Sequence, residues 1–239
     1  MNKEIIEKVT KSCNEIFADQ KNYKLPDEYN YGHLPLCVID SIFSIGVKYE
    51  AVKNVVNRFC DHYKIDKSSN TEELTTSHFL ELMEQQTVQE LAENIYKNRQ
   101  RTSTVSGILK SEAVVLFLKV LQKYKVESLN DIDKIITNDQ FEIEIKKISG
   151  QKSGISLQYF FMLAGSDDLI KPDRMILRFL ENILEEKVSL NDCQVILTGV
   201  TEQLKNNGFN ITAKKLDNLI WNYQRDIQTD SPTIQDDTL

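Results

Sequence analysis

Glycine and proline are scarce in this chain of 239 residues, eight and four respectively, and they gather at a handful of positions. So few breakers, set among long amphipathic runs, exclude a turn-rich β architecture and point to helices. The four cysteines (Cys13, Cys37, Cys60 and Cys193) form no C-x-x-C pair. That excludes a disulfide scaffold and a cysteine knuckle, and the thiols read as reduced and mostly buried. His33, His62 and His78 lack the spacing of metal ligands, so no metal site is expected. No run of 18 apolar residues occurs, so no membrane span is expected. The start MNKEIIEKV is amphipathic rather than continuously apolar, which reads as a helix and not as a signal peptide.

What is present fits a globular chain, with 41% apolar residues to fill a core and 27% charged residues to solvate a surface. The net charge of −7 argues against non-specific coating of nucleic acid. It leaves room for a local basic face, because binding depends on where charges sit. Ile5, Ile6, Val9, Cys13, Ile16 and Phe17 recur at helical spacing and predict a first helix over about residues 3–19. Leu36 to Cys60 predicts a buried helix, a break near Ser44–Gly46 and a second helix, and SSNTEELTTSHFLELMEQ, with Ser77 ahead of Glu81 and other N-cap candidates, fits a loop into a helix. Helices are also expected over 104–123 (broken near Gly107), 130–136, 140–148, 153–164, 173–185, 189–206 and 211–226, with a frayed polar tail after them. The fold class is all-α, with no convincing strand and no internal repeat.

One segment carries chemistry. Residues 141–179 read FEIEIKKISGQKSGISLQYFFMLAGSDDLIKPDRMILRF. A helix ends at Ile148, a tight turn holds Gly150, a second helix follows, and a polar loop leads to Pro172–Asp173 at the start of another helix. Gly150 permits a positive φ. The N–H groups opening the second helix could hold a phosphate, with Lys146, Lys147 and Lys152 close by in sequence. Asp173 stands where a helix N-terminus stabilises a carboxylate.

This segment resembles the helix-hairpin-helix (HhH-GPD) superfamily of DNA glycosylases. The likeness extends loosely over residues 30–225 and is motif-grade over 145–179. It implies a two-lobed helical bundle of that type with a helix-hairpin-helix DNA-binding motif over about 141–164. A terminal-helix domain would comprise residues 1–29 and 155–239, and a central helical domain residues 30–154. It implies double-stranded DNA as partner, a monomer, a cytoplasmic, nucleoid-associated location and no cofactor beyond a monovalent cation at the hairpin. Asp173 would be the catalytic carboxylate acting on a base flipped out of the duplex. Gly150, Gln151, Lys152, Ser153, Gly154, Lys147, Arg101, Lys171 and Arg174 would contact DNA. A pocket between the two domains, with Asp40 and Tyr159 as lining candidates, would receive the base. Residues 97–125 carry seven basic residues against Glu112 alone, which suggests a face turned toward DNA.

Two departures sharpen the expectation. Relatives that also nick the strand place a lysine where this chain has Gly154, so a monofunctional enzyme using water is implied, releasing a damaged or modified base and leaving an abasic site. The second hairpin glycine is replaced by Lys152. Two other readings stay open: a DNA-binding protein of the same fold without catalysis, and a helical protein-interaction domain favoured by the acidic stretch 72–93. Core readings stand beside the functional ones for Tyr159, Phe160, Phe161, Tyr31, His33 and Trp221. Asp173 has one as well, as a first-turn helix acid.

Overall fold

The computed structural model describes residues 3–26, 31–68 and 73–230, with the side chains of 228–230 excepted. The tail expected to fray lies almost wholly outside the described residues. Among the described residues every element is helical, and the only β feature is an isolated bridge between Arg101 and Leu109. No helix there is long and apolar enough to cross a membrane.

The chain divides by packing into two units. The first joins the residues up to Leu25 with those from Asp167 onward, and the second is Pro26–Ser166. The second helix of the expected hairpin therefore packs within the second unit rather than with the terminal helices.

The first unit contains α1 (Lys3–Ile16), α9 (Arg174–Leu184), α10 (Leu190–Asn206) and α11 (Ala213–Asp230). Each presents one apolar stripe. Val9 and Cys13 of α1, Ile176, Phe179 and Leu180 of α9, Cys193, Ile196, Leu197, Val200 and Leu204 of α10, and Leu216 and Ile220 of α11 fill a single core. These residues recur every three or four positions, so one face of each helix leaves water. Phe17 stacks on Phe179 at 6.3 Å, and Tyr223 meets both rings edge-on.

The second unit is built on α2 (Leu34–Phe43), a helix with all ten residues buried. Around it pack α3 (Tyr49–Tyr63), α4 (Thr76–Glu84), α6 (Lys110–Lys123) and α8 (Ile155–Leu163). The short α5 (Val88–Glu90) runs into a π-helical turn over Leu91–Ile95, and α7 (Asp139–Lys147) precedes α8. A helix buried on all sides needs no polar face, which is why α2 reads as a continuous apolar run interrupted only by Asp40 and Ser41. Phe43, Phe59, Phe79 and Tyr96 form one aromatic cluster, with centroids 4.8–5.6 Å apart. Phe117 of α6, Phe141 of α7 and Phe160 of α8 form a second, with the Phe117–Phe160 centroids 5.0 Å apart. This second cluster anchors α7 and α8 on α6, and with them the turn between.

The passage from a loop into a helix expected around Ser77 is found as α4, while the helix expected from residue 104 starts only at Lys110. α4 is capped by Thr75, whose Oγ1 accepts from the His78 N–H at 3.1 Å. Ser77 instead donates its hydroxyl to Glu127 at 2.8 Å. Over 104–109 there is no helix. The Thr102 N–H donates to the Ile108 carbonyl and the Lys110 N–H to the Gln100 carbonyl, both at 2.9 Å, closing an irregular loop before α6. Apolar periodicity cannot see this loop, because the long-range bonds that make it are backbone bonds.

Candidate functional site

The turn Ile148–Gly154 is closed by local backbone bonds. The Gln151 N–H donates to Ile148 at 2.9 Å, and the Gly154 N–H to Gln151 at 3.0 Å. Gly150 has φ +87 and Gly154 φ +76, so left-handed backbone occurs where the sequence supplies glycine. A Cβ on Gly150 would sit 2.4 Å from Thr102 Cβ. This glycine thus serves a close approach to the chain's own 101–109 loop. Ser149 reinforces that contact by donating to the Ser106 carbonyl at 2.9 Å.

The residues expected to meet DNA separate into two groups. Gly150, Lys152, Ser153, Lys147 and Arg101 are exposed, the last also donating to the Gly107 carbonyl at 2.8 Å. Lys152, between the two left-handed glycines, does not adopt a positive φ. Gln151 is a correction: its side chain is 1% exposed and turned inward, with Oε1 accepting from the Ser156 hydroxyl. Gly154 is also buried, with the Lys146 side chain lying against it. Lys146 pairs with Glu142, one helical turn back.

The basic excess of 97–125 is not a free basic face. Arg99 pairs with Glu93, Lys119 with Glu84 and Lys123 with Glu144. Lys110 is 1% exposed and donates to the carbonyls of Phe43 (3.0 Å) and Ile45 (2.7 Å) and to Gln100 Oε1 (3.0 Å). It closes the C-terminal end of α2, where a cation is favoured. Burial pushes its ammonium down to about 8.

Asp40 is fully buried and accepts from the Tyr31 hydroxyl at 2.7 Å. Burial beside that carboxylate pushes the Tyr31 phenol up. Tyr159, at 6% exposure, is buried in the second unit's interior, in keeping with its core reading. His33 is buried too, its Nε2 facing the Asp66 carbonyl at 3.0 Å and its Nδ1 accepting from the Leu74 N–H at 3.1 Å. Trp221 is half-buried, with the Arg225 guanidinium 5.3 Å from its ring. None of the four cysteines is in a disulfide, all are buried, and burial pushes Cys13, Cys60 and Cys193 up to about 12. Among the described residues no group of three His, Cys, Asp or Glu could hold a metal ion.

In the first unit, Asp173 is the N-cap of α9. Its Oδ1 accepts from the Met175 N–H at 2.8 Å and the Ile176 N–H at 3.3 Å. Arg174 follows as the first helical residue and is exposed. The chain leading to Asp173 is irregular and is held from outside by side chains. Gln194 of α10 accepts from the Ile170 N–H at 2.9 Å and donates to the Asp168 carbonyl at 3.0 Å. Asp217 of α11 accepts from the Lys171 N–H at 2.8 Å. Lys171 is therefore bound through its backbone, with its side chain half-buried. Burial, and then the charge of Asp173, push the Asp217 carboxyl well above the usual carboxylate range.

Sequence reasoning missed Gln194, Asp217 and Thr102. A signal existed for Asp217, which shares the buried stripe of Ala213, Leu216 and Ile220, where a carboxylate demands a reason. The tip of the 101–109 loop was missed as well: Val105 stands there 95% exposed, on the loop that abuts Gly150.

Neither the curated proteins nor the solved structures contain a match to this chain. The family model of a domain of unknown function, DUF8548, matches residues 7–225, and the chain belongs to that family.

Proposed function

We propose that this protein is a monofunctional DNA glycosylase that releases a damaged or modified base from duplex DNA. The observation that carries the reading is the order α7, glycine turn, α8, polar loop and Asp173-capped α9, with left-handed glycines at positions 150 and 154 of the turn. Support comes from the exposed Lys147 and Lys152 beside the turn, and from Arg101 and the apolar tip Val105 on the loop against it. Lysines offer phosphates a positive field, and an apolar tip suits insertion between unstacked bases.

In this reading the flipped nucleotide presents C1′ to Asp173. Oδ1 is engaged by the two α9 amides, and Oδ2, which takes neither bond, faces the reaction. The C1′–N bond breaks with its electron pair leaving on the base, which takes up a proton from solvent, the same solvent to which the carboxylate later returns the one it receives. Water adds to C1′ and gives its proton to the carboxylate, leaving an abasic sugar with a 1′-hydroxyl. Gly154 offers no amine for a Schiff base, so strand cleavage by that route is not expected.

The test is base release from oligonucleotides carrying a panel of lesions and from natural modified DNA, read by mass spectrometry. Asp173→Asn should lower release on the order of 10²–10⁴-fold, the range typical of a positioned acid or base. Wild-type-like release by that variant would sink the assignment. A second reading, DNA binding without catalysis, is favoured by one observation: the Asp173 cap bonds explain that residue structurally. Salt-dependent duplex binding with no base released from any substrate would decide for it.

A further inference from the structure

We propose that Asp217 is the positioning residue of Asp173, its buried carboxyl holding the Lys171 backbone so that the Asp173 carboxylate stays aimed from the α9 N-terminus. The proposal rests on the reading of Asp173 as the acting carboxylate.

The segment from Asp167 to Asp173 has no helix of its own, so its shape must come from elsewhere. Asp217 Oδ1 takes the Lys171 N–H, and the Asp173 N–H turns back onto the Lys171 carbonyl at 2.7 Å. One residue thus links the two aspartates: Asp217 grips one side of Lys171, and Asp173 hangs from the other. Pro172 between them is buried and fixes its own φ. Gln194 grips the preceding turn independently. The loop end that matters for Asp173 is therefore the Asp217 end.

The choice of aspartate also has an electrostatic consequence. Asp217 is 8% exposed and feels the charge of Asp173. Lys171 is the cation that acts on it, and Cys193 of α10 feels both carboxylates with its own proton held on by burial. Lys214, one turn earlier on α11, is buried as well. Burial beside a second acid favours the neutral form of Asp217. Asp217 then holds a structural role, accepting from the Lys171 N–H, while Asp173 is the carboxylate presented at the α9 N-terminus.

The test uses the full chain, isotopically labelled. Side-chain ¹³C titration should place Asp217 above the usual carboxylate range, and Asp173→Asn should bring it down. Asp217→Asn keeps a neutral oxygen acceptor and should leave exchange of the Lys171 amide within twofold of wild type. Asp217→Leu should speed exchange at Lys171, Met175 and Ile176 at least tenfold while the interior amides of α10 stay protected.

Two duplexes supply the functional readout, one with a cationic pyrrolidine abasic nucleotide and one with a neutral tetrahydrofuran. Wild type and Asp217→Asn should prefer the cation tenfold or more, and Asp217→Leu and Asp173→Asn should lose that preference. The proposal is overturned if Asp217→Leu keeps both loop protection and preference, or if Asp173→Asn leaves the Asp217 titration unmoved. The second criterion decides alone should Asp217→Leu fail to fold. Wild type showing no preference counts against the glycosylase reading, while the titration and exchange still judge Asp217.

Discussion

The 148–154 turn and the 167–173 loop are both short, polar and irregular, yet they are held in opposite ways. The turn closes on itself through bonds three residues apart, with glycine where the backbone is left-handed. The loop makes few bonds of its own and is gripped by Gln194 and Asp217, residues 24 and 46 positions further on. Local closure tolerates changes elsewhere in the unit. Remote closure makes the placement of Asp173 depend on how α10 and α11 pack.

The largest expected effects set the two regions against each other through pH. Lys110, which ties down the end of α2 in the turn's unit, has its folded-state ammonium lowered from 10.5 to about 8. The unfolded chain therefore binds that proton between those values and the folded chain does not. The resulting penalty is complete below about pH 8 and is relieved as pH rises to 10.5, on the order of 2–3 kcal/mol. Asp217 works the other way. Its folded carboxyl is raised, so stability is present in acid and is lost as pH rises above the ordinary carboxylate range toward the folded value. Chemical denaturation across pH 4–10.5 checks both. Lys110→Met should flatten the alkaline slope, and Asp217→Asn the loss from acid toward neutrality.

Next in size is Gly150→Ala, which combines a left-handed φ with a clash against Thr102. It should cost on the order of 1–3 kcal/mol and weaken duplex binding. Gly165 is the comparator: φ +115 with open space around it, so that Gly165→Ala should cost about 1 kcal/mol and leave binding alone. Equal costs would show that contact with the 101–109 loop does not matter. Gln194→Ala removes two bonds to the loop and should cost about 1–2 kcal/mol, read by denaturation and by faster exchange at Ile170. The turn's amides should not respond.

The smallest stability effects, within about 0.5 kcal/mol, belong to Lys147→Ala and Lys152→Ala, which sit on the surface. Each should still weaken duplex binding evenly across sequences and reduce the salt slope by about 1. A protein-interaction domain would show no such slope.

The helices α7 to α10 were legible because their apolar residues recur at helical period and their starts carry Asn138, Gly154, Asp173 and Ser189. The 101–109 loop was not, since Val105, Ile108 and Leu109 continue the apolar rhythm of α6. Charge counting also misled over 97–125. A sum cannot tell an exposed lysine from Lys110, whose ammonium lies at the C-terminal end of α2 with three acceptors.

The sequence by itself determined an all-α chain, the turn at Gly150 and a carboxylate at the start of α9. Those features depend on bonds and periods spanning a few residues, which one stretch of sequence contains whole. Tertiary structure alone decided that Gly150 serves Thr102 and that Asp217 holds the backbone before Asp173. Each is a contact between segments distant along the chain, and such contacts exist only once the helices have packed.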